Sequence, residues 1–160
     1  MRARSRPSRA ARAKLHQVNC NGALYNMAAN DEPLAEALAR AVKDLGGGVI
    51  LYAFSNSLPM SIGKKLGIPV AGEVFADRGY ADDGTLWPCG KPGAMIEDAA
   101  VAAERAVGMV EKGYLTSLSG KPVPVSADTL CLHGDQPGAV VFARAIRKAF
   151  AERGITVAAP

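Results

Sequence analysis

Apolar and polar positions along this chain alternate between the helical period and short continuous runs. Leu34, Leu38, Ala41 and Leu45 recur at helical spacing, with Glu36, Arg40 and Lys43 on other faces, which predicts a helix. Asn30 or Asp31 stands where an N-cap belongs, Pro33 suits the first turn, and glycines 46–48 close the segment. Residues 48–54 (GVILYAF) form an unbroken apolar run, as in a strand buried on both faces. A helix over residues 58–66 stops at Gly67, and residues 69–76 read as the next strand. Further on, Ala102, Ala106 and Val110 mark one face of a helix over residues 99–112. Residues 128–132 read as a strand, and Ala139, Phe142, Ala143, Ile146, Ala149 and Phe150 form the stripe of a last long helix. Residues 14–19 and 155–158 are expected as short strands, and residues 121–126, with two prolines, as an edge segment. Strand–helix alternation of this kind predicts an α/β fold with parallel strands, whose sites form at the C-terminal strand ends.

Composition changes this picture mainly at the N-terminus. The net charge is +4, yet Arg2, Arg4, Arg6, Arg9, Arg12 and Lys14 all lie in the first 14 residues, and the remainder carries 13 basic and 15 acidic residues. Residues 1–14 show no apolar periodicity and are expected to form a disordered basic tail. They read as a transit peptide, a nucleic-acid arm or a non-native leader. The body from residue 15 to 160 has no excess of basic side chains, which argues against a nucleic-acid-binding domain. No apolar run is long enough for a membrane helix. Cys20, Cys89 and Cys131 are odd in number and lack Cys-x-x-Cys spacing, so reduced thiols in a cytoplasmic protein are expected, with neither disulfides nor a zinc site.

Three clusters carry candidate chemistry: residues 21–26 (NGALYN), 73–80 (EVFADRGY) and 133–139 (HGDQPGA). All three sit just after predicted strands. Together they offer carboxylates, a guanidinium and an imidazole, the groups that proton transfer and anion binding require. Each also has a plainer reading. Asp135 with Pro137 suits a helix N-cap. Asp77 and Arg78 suit a surface pair. Glu73, in an apolar strand, faces solvent or a partner cation, because burying it unpaired costs several kcal/mol. The 17-residue connection over residues 77–93 is long enough to suggest function. Residues 58–65 fail as a phosphate-binding loop, since Leu58 and Lys65 replace the required Gly and Ser/Thr.

The segments Gly22-Ala23-Leu24-Tyr25-Asn26, Glu73-Val74-Phe75-Ala76-Asp77-Arg78 with Tyr80, Asp82-Gly84-Thr85-Leu86, Pro92-Gly93-Ala94 with Ile96, and His133-Gly134-Asp135 with Pro137-Gly138-Ala139 resemble the LamB/YcsF family in order and spacing. The resemblance implies a seven-stranded β/α barrel of the glycoside hydrolase/deacetylase type, here a partial one. It implies the role of the A component in a three-component 5-oxoprolinase, which works with 5-oxoprolinase subunits B and C to open 5-oxoproline to L-glutamate. ATP and Mg²⁺ are the implied cofactors. By resemblance, Glu73, Asp77, Arg78, His133 and Asp135 are the catalytic candidates, and Asn21, Tyr25, Asn26 and Tyr80 the substrate-binding ones. Two departures stand out. The family's opening Asp-Leu-Asn-Cys-Asp-type strand and its His-Ala-Gly-Asp-type segment are missing, and Asn19-Cys20-Asn21 replaces a Lys-Pro-His triplet. Asn cannot shuttle a proton at neutral pH. The expected product is therefore a truncated, impaired enzyme or, alternatively, a non-catalytic binding module. A partial barrel is also expected to leave interior side chains such as Val49, Ile50 and Leu51 uncovered.

The tail reading yields a first prediction. Deleting residues 1–14 leaves the thermal midpoint nearly unchanged, because they have no apolar stripe to bury. A drop of several degrees in a melting experiment contradicts it.

Overall fold

The computed structural model describes residues 14–135 and 137–158; the basic tail, apart from Lys14, and Gln136 lie outside them. The chain divides into two compact units, one up to Glu73 and one from Val74 onward.

The first unit is built from β1 (Gln17–Asn19), α1 (Ala23–Asn30), α2 (Glu32–Lys43), β2 (Ile50–Phe54), α3 (Leu58–Lys65) and most of β3 (Val70–Phe75). β1 pairs parallel with β2, and β2 parallel with β3. Asp31 caps α2, its carboxylate accepting the Leu34 N–H at 2.9 Å, and Pro33 sits in the first turn. The face of α2 that is buried runs through Ala35, Ala39 and Val42, one residue over from the predicted Leu34, Leu38 and Ala41. Small side chains at that contact let the packed elements approach closely, and the leucines flank it half-buried. Ala39, Val42, Val49, Leu51, Ala53, Met60 and Ile68 form the core. Val49 and Leu51 are 6% and 1% exposed, so the expectation that they lie uncovered is wrong: α2 and α3 supply their cover. The predicted β2 and β3 shorten by one or two residues at their ends. The helix α1 has no counterpart in the apolar pattern; Gly22, at φ 61°, starts it.

In the second unit, β3 leads into the long connection, followed by α4 (Ala99–Lys112), β4 (Tyr114–Thr116), β5 (Pro122–Pro124), β6 (Thr129–Cys131) and α5 (Ala139–Glu152). The sheet order is β1-β2-β3-β6, an α/β arrangement consistent with a partial β/α barrel. The predicted edge segment is β5, paired antiparallel with β4 in a separate hairpin. Asp98 caps α4, accepting the Ala100 and Val101 N–H groups. Ala76, Ala102, Ala103, Ala106, Val107, Phe142, Ile146 and Phe150 form this unit's core; Val110, expected inside, is exposed. Residues 155–158 are not a strand. The Ile155 N–H donates to the Phe150 carbonyl, which ends α5 rather than starting a ladder. Residue 135 does not cap α5 either, since the N-cap is Gly138, in a left-handed conformation.

Two helical glycines make opposite predictions. A Cβ on Gly63 meets Val70 Cγ1 at 2.6 Å and Leu51 Cδ2 at 3.4 Å, whereas one on Gly108 meets nothing within 4 Å. Gly63→Val is expected to cost about 1–3 kcal/mol by overpacking, and Gly108→Ala to gain about 0.5–1 kcal/mol by helix propensity. Urea unfolding of both variants measures this; a neutral Gly63→Val contradicts the packing.

Candidate functional site

Two neighbourhoods hold the candidate side chains, one in each unit. In the second, Asp77 follows β3 and is fully buried. Its Oδ2 accepts a bond from His133 Nδ1 at 2.8 Å and a longer one from the His133 backbone N–H at 3.3 Å. A carboxylate out of water requires such donors. The imidazole lies nearly parallel on Phe75, ring centroids 5.6 Å apart and planes 14° apart. The pair is closed at one end and open at the other: the Asp77 side chain has no exposure, that of His133 30%. When Asp77 is a carboxylate and the imidazole is neutral, Nδ1 carries the ring hydrogen and Nε2 has the lone pair, the tautomer of a general base. Asp77 Oδ1 is buried without a hydrogen-bond partner among the described residues, a demand that packing alone leaves unmet.

The turn after Asp77 is held by Gly79, Tyr80 and Arg105. A Cβ on Gly79 would lie 2.1 Å from the Gly93 carbonyl oxygen, so this close approach excludes every other residue. Tyr80 is fully buried, and its hydroxyl accepts the Phe75 N–H at 2.8 Å. This predicted substrate-binding residue thus braces the strand end beneath His133. Arg105, on α4, donates to the carbonyls of Arg78 and Thr116, each at 3.2 Å. Burial lowers its pKa from the ordinary value, with Tyr80 acting in the opposite sense. Arg78 itself points Nη1 at Cys89 Sγ, 3.4 Å away, so the expected Asp77–Arg78 surface pair is not what forms. Asp135 is exposed. In the long connection, Lys121, Ser119 and Ser117 bond the Asp82 carboxylate and hold its pKa far below the usual range.

In the first unit, Glu73 is 5% exposed. It does not face solvent, and its Oε1 accepts a bond from Asn19 Nδ2 at 3.4 Å. Asn19 ends β1 and Glu73 lies within β3, so the contact reaches across β2. Asn21 is exposed and accepts the Gly22 N–H at 2.8 Å. Asn26 is exposed on α1, and Tyr25 sets its ring edge against Phe54, centroids 6.1 Å apart. Burial raises the Cys20 pKa, which keeps it a thiol rather than a nucleophile.

Sequence reasoning missed Asn19 and Arg105. Asn19 was findable, because it stands at the end of an expected strand. Arg105 was not, since nothing local distinguishes it from any other helix-surface arginine.

The chain matches the model of the LamB/YcsF family over residues 2–160. It is 48% identical over 150 residues to a Heliobacterium modesticaldum protein named as the A component of 5-oxoprolinase, covering 94% of this chain and 59% of that protein. It is 47% identical over 152 residues to the protein of the same name from Methylococcus capsulatus, covering 95% and 58%. Its structure superposes on that of a lactam utilization protein from Thermus thermophilus with a TM-score of 0.86 at 38% identity, covering 98% of this chain and 62% of that one. The chain thus spans less than two thirds of these relatives' lengths. With matching sequence over nearly its whole extent and a matching fold, this chain belongs to the LamB/YcsF family.

Proposed function

We propose that this chain is an impaired form of the A component of an ATP-dependent 5-oxoprolinase, the enzyme that works with subunits B and C in the cytoplasm to open 5-oxoproline to L-glutamate. The observation that carries the reading is the Asp77–His133 pair, set in a chain whose relatives bear that enzyme's name. A lactam resists water because amide resonance strengthens its C–N bond. Ring opening needs a base for the attacking water and a donor for the carbonyl oxygen. His133 Nε2 takes the water proton as oxygen bonds to the carbonyl carbon. The C–N bond then breaks, and the proton returns to the departing nitrogen. Asp77 holds the ring in the required tautomer and stabilises the imidazolium that forms. Glu73, Arg78 and Asp135 remain candidates for further proton transfer or charge stabilisation, and Asn21, Tyr25 and Asn26 for substrate contact. ATP and Mg²⁺ are implied by the family. Among the described residues no group of three or more His, Cys, Asp or Glu side chains is placed to hold a metal ion. No helix among them is long and apolar enough to cross a membrane.

The rival reading, a non-catalytic binding module, is favoured by Asn21, whose amide oxygen is engaged with its neighbour's backbone where the family resemblance expects a histidine. One positioned proton-transfer group is worth ~10²–10⁴ in rate. The 160-residue chain supplied with subunits B and C of a relative is therefore expected to release no detectable glutamate from 5-oxoproline and ATP. A chimera carrying the remainder of a full-length relative together with Asn21→His is expected to recover turnover, and His133→Ala in that chimera to lower it by about 10²-fold or more. Turnover by the unmodified chain contradicts the impairment, and a chimera indifferent to His133→Ala removes that residue from the site.

A further inference from the structure

We propose that Arg78, with Arg105 behind it, binds an oxyanion: the carboxylate of 5-oxoproline or a phosphate group. With the carboxylate as ligand the assignment rests on the substrate reading above; with phosphate it stands without it. Both arginines lie in the second unit, and Arg105 lies outside the three sequence clusters. Arg105 Nη2 donates to the Arg78 carbonyl at 3.2 Å, so two guanidinium-bearing residues meet at one turn. Neither side chain forms a salt bridge among the described residues. The carboxylates of the same segment are engaged elsewhere. Asp77 accepts from His133, Asp82 from Lys121, Ser117 and Ser119, and Asp83 from Thr85. Two positive charges thus stand together without a carboxylate to balance them.

The donors are unmet as well as the charges. The Nε atoms of Arg78 and Arg105 are both buried with no hydrogen-bond partner among the described residues, a demand that folded proteins rarely leave open. Arg105 commits Nη1 and Nη2 to the carbonyls of Thr116 and Arg78, which fixes it as a support. The Arg78 side chain has one partner among the described residues, the Cys89 thiol, 3.4 Å from Nη1. A thiol sulfur is a weak acceptor, so a guanidinium held there has no strong bond to give up. Arg78 is half-buried, and Cys89 is exposed. The guanidinium is therefore partly out of water along its stem and reachable at its Cys89 end.

The chemistry of an oxyanion fits this group. A guanidinium presents parallel N–H groups that match two oxygens of a carboxylate or a phosphate, and such charge-assisted pairs are stronger than neutral ones. An oxyanion at the Cys89 end replaces a weak sulfur contact and balances the charge of Arg78. The charge of Arg105 adds to the attraction from behind, and partial removal from water strengthens both. The carboxylate of 5-oxoproline sits on the ring carbon beside the nitrogen, across the nitrogen from the lactam carbonyl. A guanidinium holding it orients the ring without touching the carbon that water attacks.

Amide-shift NMR titration of the full chain tests the site with 5-oxoproline, with 2-pyrrolidone, the same lactam without the carboxylate, and with inorganic phosphate. Loss of a charge-assisted pair weakens binding about 10-fold or more. The unmodified chain is expected to bind 5-oxoproline about 10-fold or more tighter than 2-pyrrolidone, and Arg78→Gln to remove that difference. Arg78→Lys, which keeps the charge and loses the fork, is expected to fall between them, and it serves if Arg78→Gln does not fold. A drop of about 10-fold in phosphate binding by Arg78→Gln, with 5-oxoproline bound alike by both chains, supports the site and identifies phosphate as its ligand. The same drop with neither lactam bound by the unmodified chain supports the site and contradicts the substrate reading. The assignment is overturned if neither 5-oxoproline nor phosphate binds the unmodified chain, or if both bind the Arg78 variants as tightly as the unmodified chain.

Discussion

Asp77 is a carboxylate placed where water does not reach, and the surrounding turn is arranged around that fact. A buried charge is tolerated only with donors aimed at it. His133 supplies two to one oxygen, from its ring and its backbone. To do so, the segment after β6 must bring residue 133 over Phe75, and the chain after β3 must turn sharply. Gly79 permits the turn by lying against the Gly93 backbone. Tyr80 sends its hydroxyl back to the Phe75 N–H, and Arg105 ties the Arg78 carbonyl to β4. Each of these groups limits the freedom of the imidazole without touching it.

That arrangement suits ordinary residues to the proton transfer proposed for them. The histidine is oriented from one side by the carboxylate and from one face by an aromatic ring, and 30% of its side chain remains exposed. Orientation and tautomer are what a general base requires before its basicity matters. In the first unit, Asn19 at the end of β1 bonds Glu73 of β3, a polar contact that spans the intervening strand β2.

Much of the fold was legible because burial writes itself into composition. The helix over Ala99–Lys112 and the apolar runs of β2 and β3 needed no tertiary information. Where neighbours decide, the pattern misled. The α2 stripe reads through its leucines, yet the contact face runs through Ala35 and Ala39, because close helix packing selects small residues over large ones. Residues 155–158 have strand-like composition but make no ladder. Asp135 has a good cap sequence, and Gly138 takes the cap instead. In the site, Asp77 and His133 were recognisable by type and position after apolar runs. Their pairing across 56 positions, Tyr80 as a brace and Arg105 as a tie depend on distances that no local pattern records.

The central claim is that Asp77 holds His133 as a base, with the ring hydrogen on Nδ1 and a lone pair on Nε2. Long-range ¹⁵N–¹H correlation spectra of the imidazoles report this tautomer directly in the intact chain. For the neutral His133 ring, the account predicts a protonated Nδ1 and an unprotonated Nε2; a neutral ring protonated on Nε2, with Nδ1 bare toward Asp77, contradicts it.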